Sequence, residues 1–184
     1  MGKPVDIKNY SELDARLPTD LSYQARTTID LSHEKIHQGL HWTACAYQTG
    51  ASAMNVLITS PSDVHYHLIA EVAVTGPATI TWNRAPGFDA TGSTTIVSYG
   101  NNEDNTTASS LIIQRGGAYT SSGTMLETWL IGNSSGNSGQ PILVGGGSSH
   151  GQEWELGYDS IHLLRVVPSA SCESVIRCYY YRKE

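Results

Sequence analysis

The sequence is poor in charge. Only 15% of its 184 residues are Asp, Glu, Lys or Arg, and the net charge is −6. Nucleic acid is therefore not an expected partner, because phosphate binding draws on clustered Lys and Arg and the 11 basic residues here are scattered singly. Long hydrophobic runs are missing as well. The longest are strand-sized, so no membrane-spanning helix is expected. The opening residues Met1-Gly2-Lys3-Pro4-Val5-Asp6 lack the apolar stretch of a secretory leader, which points to a product soluble where it is made. Cysteine is scarce and odd in number. Cys45, Cys172 and Cys178 include no closely spaced pair, so they form neither a disulfide framework nor a zinc pattern and are expected as reduced thiols. No Gly-x-Ser-x-Gly elbow marks a nucleophile. Gly145-Gly146-Gly147 lacks the Lys-Ser/Thr of a phosphate loop, and no fixed repeat points to a solenoid or propeller.

What is abundant is Ser plus Thr, 38 residues, together with 18 Gly. With so few charges, surface polarity must come from hydroxyls and turns, a composition suited to short strands rather than to a helical bundle. The 39% of hydrophobic side chains suffices for one core and one domain. Residues 1–28 stand apart. They mix both charge signs with isolated apolar residues and show no sustained period, which reads as an arm. Ser11 and Asp14 can cap a short helix that Pro18 stops, and so short a helix needs a surface to dock on.

From Ile29 onward alternation takes over, and nine candidate strands follow: 36–47, 55–59, 65–74, 78–82, 94–99, 111–115, 125–131, 161–167 and 175–181. Pro-, Gly- and Asn-rich turns separate them. The fold expected for residues 29–184 is all-β, an antiparallel sandwich of the jelly-roll kind, preceded by the extended N-terminal arm. The Gly/Ser/Asn-rich stretches 132–139 and 145–149 are read as loops at one end of it.

Several groupings could carry chemistry. His65, His67 and Glu71 share one strand face, a spacing similar to the metal motif of the cupins, themselves jelly rolls. The other face, Tyr66, Leu68, Ala70, Val72 and Val74, is the more apolar and should turn to the core, sending the histidines outward. The second cupin motif is reduced to Gly147-Ser148-Ser149-His150, so no bound metal or other cofactor is expected. His33, His37 and His41 would align on a helix, but Gly39 and the alternation after Ile36 favour a strand with His37, Gly39, His41, Thr43, Cys45 and Tyr47 on the face away from the core. Glu153 and Glu155 share a face but come from one segment, whereas glycosidase carboxylates usually flank a cleft, so a solvated edge strand is expected there. Trp42, Trp82, Trp129, Trp154 and Tyr179-Tyr180-Tyr181 could instead build a sugar platform, although strand aromatics are usually core or interface material.

Taken in order, several fragments resemble a type of virion structural protein of tailed bacteriophages, small β-sandwich proteins that decorate or cement the head. They are Ile29 to Trp42, an acidic, His-rich stretch leading into Ile36-His37-Gln38-Gly39; Thr59-Ser60-Pro61 with His67; Gly145-Gly146-Gly147; Glu153-Trp154-Glu155-Leu156 with Tyr158; Leu163-Leu164-Arg165-Val166; and the Tyr-rich close near Glu184. Two positions depart from that type: Asn101-Asn102-Glu103-Asp104-Asn105 replaces its Asn-x-Asn-Arg, and Ile161-His162 its Tyr-Leu. The resemblance implies a non-enzymatic protein on the head surface of a virion, made in the bacterial cytoplasm, with the major capsid protein and further copies of itself, as dimer or trimer, for partners. Tyr10, Leu13, Leu17, Leu21 and Tyr23 of the arm are the candidate capsid contacts. The competing expectations are a cupin-like metalloenzyme, a carbohydrate-binding module and a fibre-base protein.

Overall fold

The computed structural model describes residues 35–102, 107–131, 142–145 and 153–183. The chain divides into two units, Met1–Asp30 and Leu31–Glu184, and the described residues belong to the second. The expected arm with Tyr10, Leu13, Leu17, Leu21 and Tyr23 lies outside them, as do His33, His150 and residues 132–139, expected as a loop.

Among the described residues there are fourteen strands: β1 (His41–Gly50), β2 (Met54–Thr59), β3 (His65–Val74), β4 (Ala78–Arg84), β5 (Gly87–Asp89), β6 (Thr94–Thr95), β7 (Tyr99–Gly100), β8 (Ile112–Arg115), β9 (Ala118–Ser121), β10 (Thr124–Ile131), β11 (Ile142–Gly145), β12 (Glu153–Leu156), β13 (Ile161–Pro168) and β14 (Cys172–Lys183). All pairings are antiparallel. One sheet runs β11-β3-β14-β1-β7, with β12 following β11 along β3, and the other runs β10-β4-β13-β2-β8-β6. Leaving aside the short strands β5 to β9, the chain alternates between the two sheets except from β4 to β10, which pair within the second sheet, and from β11 to β12, which both lie along β3, so that β1 lies beside β14 and β2 beside β13. This is jelly-roll order.

Alternation builds the core between the sheets. On β3 the buried side chains are Tyr66, Leu68, Val72 and Val74; β1 supplies Trp42, Ala44 and Ala46, and the second sheet supplies Met54, Val56, Ile58, Ile80, Trp82, Leu164 and Val166. Burial of these apolar faces, at about 25 cal/mol per Å2, drives the assembly. The three cysteines are unpaired, Cys172 and Cys178 buried and Cys45 exposed.

Residues 85–123, between β4 and β10, form one long insertion whose strands serve both sheets. β7 extends the first sheet beyond β1, while β8 and β6 extend the second beyond β2. The two open edges on that side are thus covered by one segment, a standard protection of exposed strand edges. Between β7 and β8 the chain meets the interior. Thr107 O accepts from Trp42 Nε1 at 2.8 Å, Ser109 Oγ from the Tyr180 hydroxyl at 3.0 Å, and Ser110 Oγ lies 2.8 Å from the Tyr66 hydroxyl. The β5–β9 pair reaches the outer face of the second sheet, where Asn55 Nδ2 donates to Gly117 O and the Arg165 guanidinium lies 4.6 Å from the Tyr119 ring centroid. Gly123 closes the insertion with φ +58; a Cβ there would fall 2.3 Å from Ala85 O, so only glycine fits.

Two sequence-derived strands require correction. The alternation after Ile36 does not begin a strand: residues 35–37 form a helical turn that ends at Gly39, with φ 70 and Gly39 N donating to Ile36 O at 2.9 Å. A left-handed glycine satisfies the last carbonyls of such a turn, and β1 starts only at His41. Within 94–99 only the two-residue β6 and the first residue of β7 are extended pairs, because the segment is crossing from one sheet to the other.

Candidate functional site

The histidines do face outward. His65, His67, Ile69, Glu71 and Ala73 occupy the outer face of β3, opposite the buried Tyr66, Leu68, Val72 and Val74. In register across the sheet stand His41 of β1, Tyr181 of β14, His67 of β3 and Glu155 of β12. This row and its neighbours bring histidines, a tyrosine and glutamates together on the outer face of the first sheet.

Tyr181 lies between two imidazoles, parallel to His67 at 4.9 Å and 13° and to His41 at 6.3 Å and 14°. Its hydroxyl donates to Glu153 Oε1. His67 Nδ1 donates to the same carboxylate at 2.7 Å, and His65 Nδ1 to Glu155 Oε1 at 3.0 Å. Lys183 Nζ reaches Glu155 Oε1 at 2.7 Å, while Tyr158 meets the His65 ring edge-on at 3.9 Å. Asn101 Nδ2 donates to His41 Nδ1 at 2.8 Å, which fixes that nitrogen as the unprotonated one. Burial lowers the His41 pKa, in accord with a neutral ring.

β12 is an edge strand of four residues, and its outward carboxylates are both engaged by histidines of β3. The pairing makes structural sense: so short a strand gains little from backbone bonds, and side-chain hydrogen bonds across adjacent strands add to them. The hydrogen bond from Lys183, then that from His65, holds the Glu155 carboxyl down to about 2. A depressed carboxyl stabilises the fold above its ordinary value of 4.5, and the contribution is lost as pH falls through about 2. Glu155→Gln is expected to flatten that part of the profile, read as unfolding midpoint against pH from 5 down to 2, the difference shrinking in high salt because the pair is exposed. Identical profiles for the two proteins would show that the carboxylate is free.

Glu71, the third residue of the cupin-like spacing, lies in register with Arg177 and Gly145, and among the described residues no three His, Cys, Asp or Glu side chains are grouped to hold an ion. His37 and Gly39 belong to the helical turn, so the expected histidine face begins at His41, with Thr43, Cys45 and Tyr47. Nor do the aromatics make one platform. Trp42, Trp82 and Tyr180 are buried in the core, Trp129 and Trp154 pack half-exposed against it, and on the outer face Tyr179 is half-buried while Tyr181, packed against His41 and His67, is buried.

Glu153 and Glu155 occupy the edge strand expected for them. Their histidine partners were not visible in the sequence, since nothing local says that β12 lies beside β3. His162 and Glu127, both turned inward on the second sheet, were also missed; the alternation Leu164, Val166 on β13 carries the signal for His162. No protein family, curated protein or solved structure matches this chain. Among the described residues no helix is long and apolar enough to cross a membrane.

Proposed function

We propose that the protein is a non-enzymatic structural component of a tailed-phage virion that binds the head shell as a decoration or cement protein, with the major capsid protein as its partner. The observation that carries this reading is the engagement of the histidines and glutamates of the first sheet with one another: the residues best suited to chemistry join a short edge strand to its neighbour. The jelly roll itself recurs in virus capsids, and the ordered fragments of sequence resemble head proteins of this type.

Self-association belongs to the same proposal. Edge strands carry exposed apolar side chains, Tyr99 on β7 and Met125 and Leu130 on β10, and few charges guard them. A symmetric dimer or trimer is the expected species, and sedimentation of the full chain showing only a 19.9 kDa monomer would contradict it.

The arm supplies attachment. Tyr10, Leu13, Leu17, Leu21 and Tyr23 each offer about 1.5–3 kcal/mol if fully buried on a partner, reduced by the ordering entropy of docking. Deleting residues 1–28 should leave the unfolding temperature of the sandwich close to that of the full chain and abolish co-sedimentation with heads prepared without the protein. Retained co-sedimentation would move the anchor to the sandwich, and failure of the full chain to bind such heads would reject the proposal.

A further inference from the structure

The two sheets differ in what lies on their outer faces. On the second sheet the β5–β9 pair supplies a further layer, and Leu57 and Leu163, in register with each other and turned away from the core, are buried there. The other twelve described strands all belong to the two sheets, so no described strand lies over the first sheet.

The outer face of that sheet is rich in tyrosine. One row across it holds Tyr47, Val175 and Ala73, and another holds Tyr99, Tyr179 and Ile69. Between these rows Arg177 stands in register with Glu71, two opposite charges that offset each other. Tyr99 is 70% exposed and Tyr47 48%. The tyrosines are tied to carboxylates of other strands: the Tyr47 hydroxyl donates to Glu173 Oε1 of β14 at 3.3 Å, that of Tyr181 to Glu153 of β12, and Tyr179 lies beside Glu71 of β3. Rings held in this way lose little freedom on docking, which favours tyrosine as a contact residue.

Size decides between this face and the β10 edge as the place where two copies meet. Four ranks of strands about 4.8 Å apart, with ten residues in each of β1 and β3 at about 3.3 Å per residue, make a plane of about 600 Å2 before side-chain relief is counted. A standard interface takes about 800 Å2 from each partner. The β10 edge offers one strand of eight residues, about 27 Å by a sheet thickness of about 10 Å, less than half as much. It is also guarded. A bulge interrupts its register between Met125 and Glu127, and Glu127 is a charged residue turned inward, two features that discourage edge pairing.

We propose that the outer face of the first sheet is the interface of a two-fold dimer, packed on the same face of a second copy as the sheets of a sandwich pack on each other. This rests on the self-association proposed above and assigns it to a face rather than to an edge. The two-fold axis sets tyrosines against the partner's face, and Arg177 and Glu71 enter the interface together, so that neither charge is buried alone.

The native chain carries a probe for this contact. Cys45 is exposed in the same row as Arg177 and Glu71, while Cys172 and Cys178 are buried. The experiment measures sedimentation of the full chain and alkylation of Cys45 by iodoacetamide over a series of protein concentrations. The expected species is a dimer, twice 19.9 kDa. Its Cys45 should react at least about tenfold more slowly once the protein exceeds the dissociation constant about a hundredfold, since the remaining free monomer is then the reactive form. Tyr47→Lys with Tyr99→Lys, at exposed rings of the face, should restore the monomer and the fast reaction with the circular-dichroism spectrum of the strands unchanged. Met125→Lys with Leu130→Lys on β10 should leave the dimer intact. A dimer whose Cys45 reacts equally fast at every concentration, or one lost through the β10 pair and kept through the tyrosine pair, would overturn the proposal and leave self-association standing. A monomer at every concentration would overturn both.

Discussion

Replacing Trp42 by alanine is expected to destabilise the sandwich by about 3–5 kcal/mol, the range for removing a buried large aromatic. Trp42 is 2% exposed, stacks on Tyr180 at 5.6 Å and meets Tyr66 edge-on at 6.0 Å. The three side chains come from β1, β14 and β3, three adjacent strands, so the void left by alanine would be shared by the centre of the first sheet. The indole does more than fill space. Its Nε1 donates to Thr107 O, and with the hydroxyls of Tyr66 and Tyr180 it fastens the insertion across the interior. Removing the donor leaves a carbonyl unsatisfied and adds to the transfer and cavity terms. Trp42→Phe keeps most of the stacking area and loses the hydrogen bond, and should fall well short of the alanine loss. Urea unfolding of the three proteins measures both, and a Trp42→Ala loss below about 1 kcal/mol would mean that this aromatic group is not the centre of the core.

Some of this was legible in the sequence because strand alternation is a local pattern read over many residues. The ten residues of β3 fix which face is apolar, so the outward direction of His65 and His67 follows without knowing what lies beside them. Trp42, Ala44 and Ala46 follow on β1 by the same reasoning. The pattern misleads where it is short. From Ile36 to Leu40 the spacing of apolar residues suits a strand or a helical turn, and the left-handed Gly39 decides for the turn. Pairing is less legible still. That Glu153 and Glu155 meet His67 and His65, or that Tyr181 sits between His41 and His67, depends on β12 and β14 flanking β3, which is set by sheet order. The same holds for the 85–123 insertion, whose short strands β6 and β7 have no pattern of their own and exist because β8 and β1 present unpaired edges. His162 is the instructive case. Its parity with Leu164 and Val166 places it inside, yet a histidine on a strand reads as polar surface until burial is known.

Lowering the pH from about 7 to 4 is expected to remove about 3 kcal/mol of stability through His162 alone. Burial, reinforced by the Arg84 cation, pushes this imidazole down from 6.5 to about 4. The unfolded chain therefore takes up a proton near pH 6.5 that the folded chain refuses until about pH 4. Between these values the unfolded state binds more protons, so stability rises with pH across the window and is level above it; below pH 4 this group adds no further loss. Besides Glu155, which begins to act below about pH 5, two other groups must be separated from it. His41, also lowered by burial, acts with the same sign. Glu127, raised by burial, acts with the opposite sign, its penalty easing as the carboxyl takes up a proton. His162→Phe isolates the term, because phenylalanine can occupy the stack on Trp82 without titrating. Urea unfolding of both proteins from pH 4 to 8 should give curves whose separation changes by about 3 kcal/mol across the window and is constant above pH 7. A separation independent of pH would show that the His162 ring takes up its proton in the folded protein as readily as in the unfolded one, and so is not sealed between the sheets.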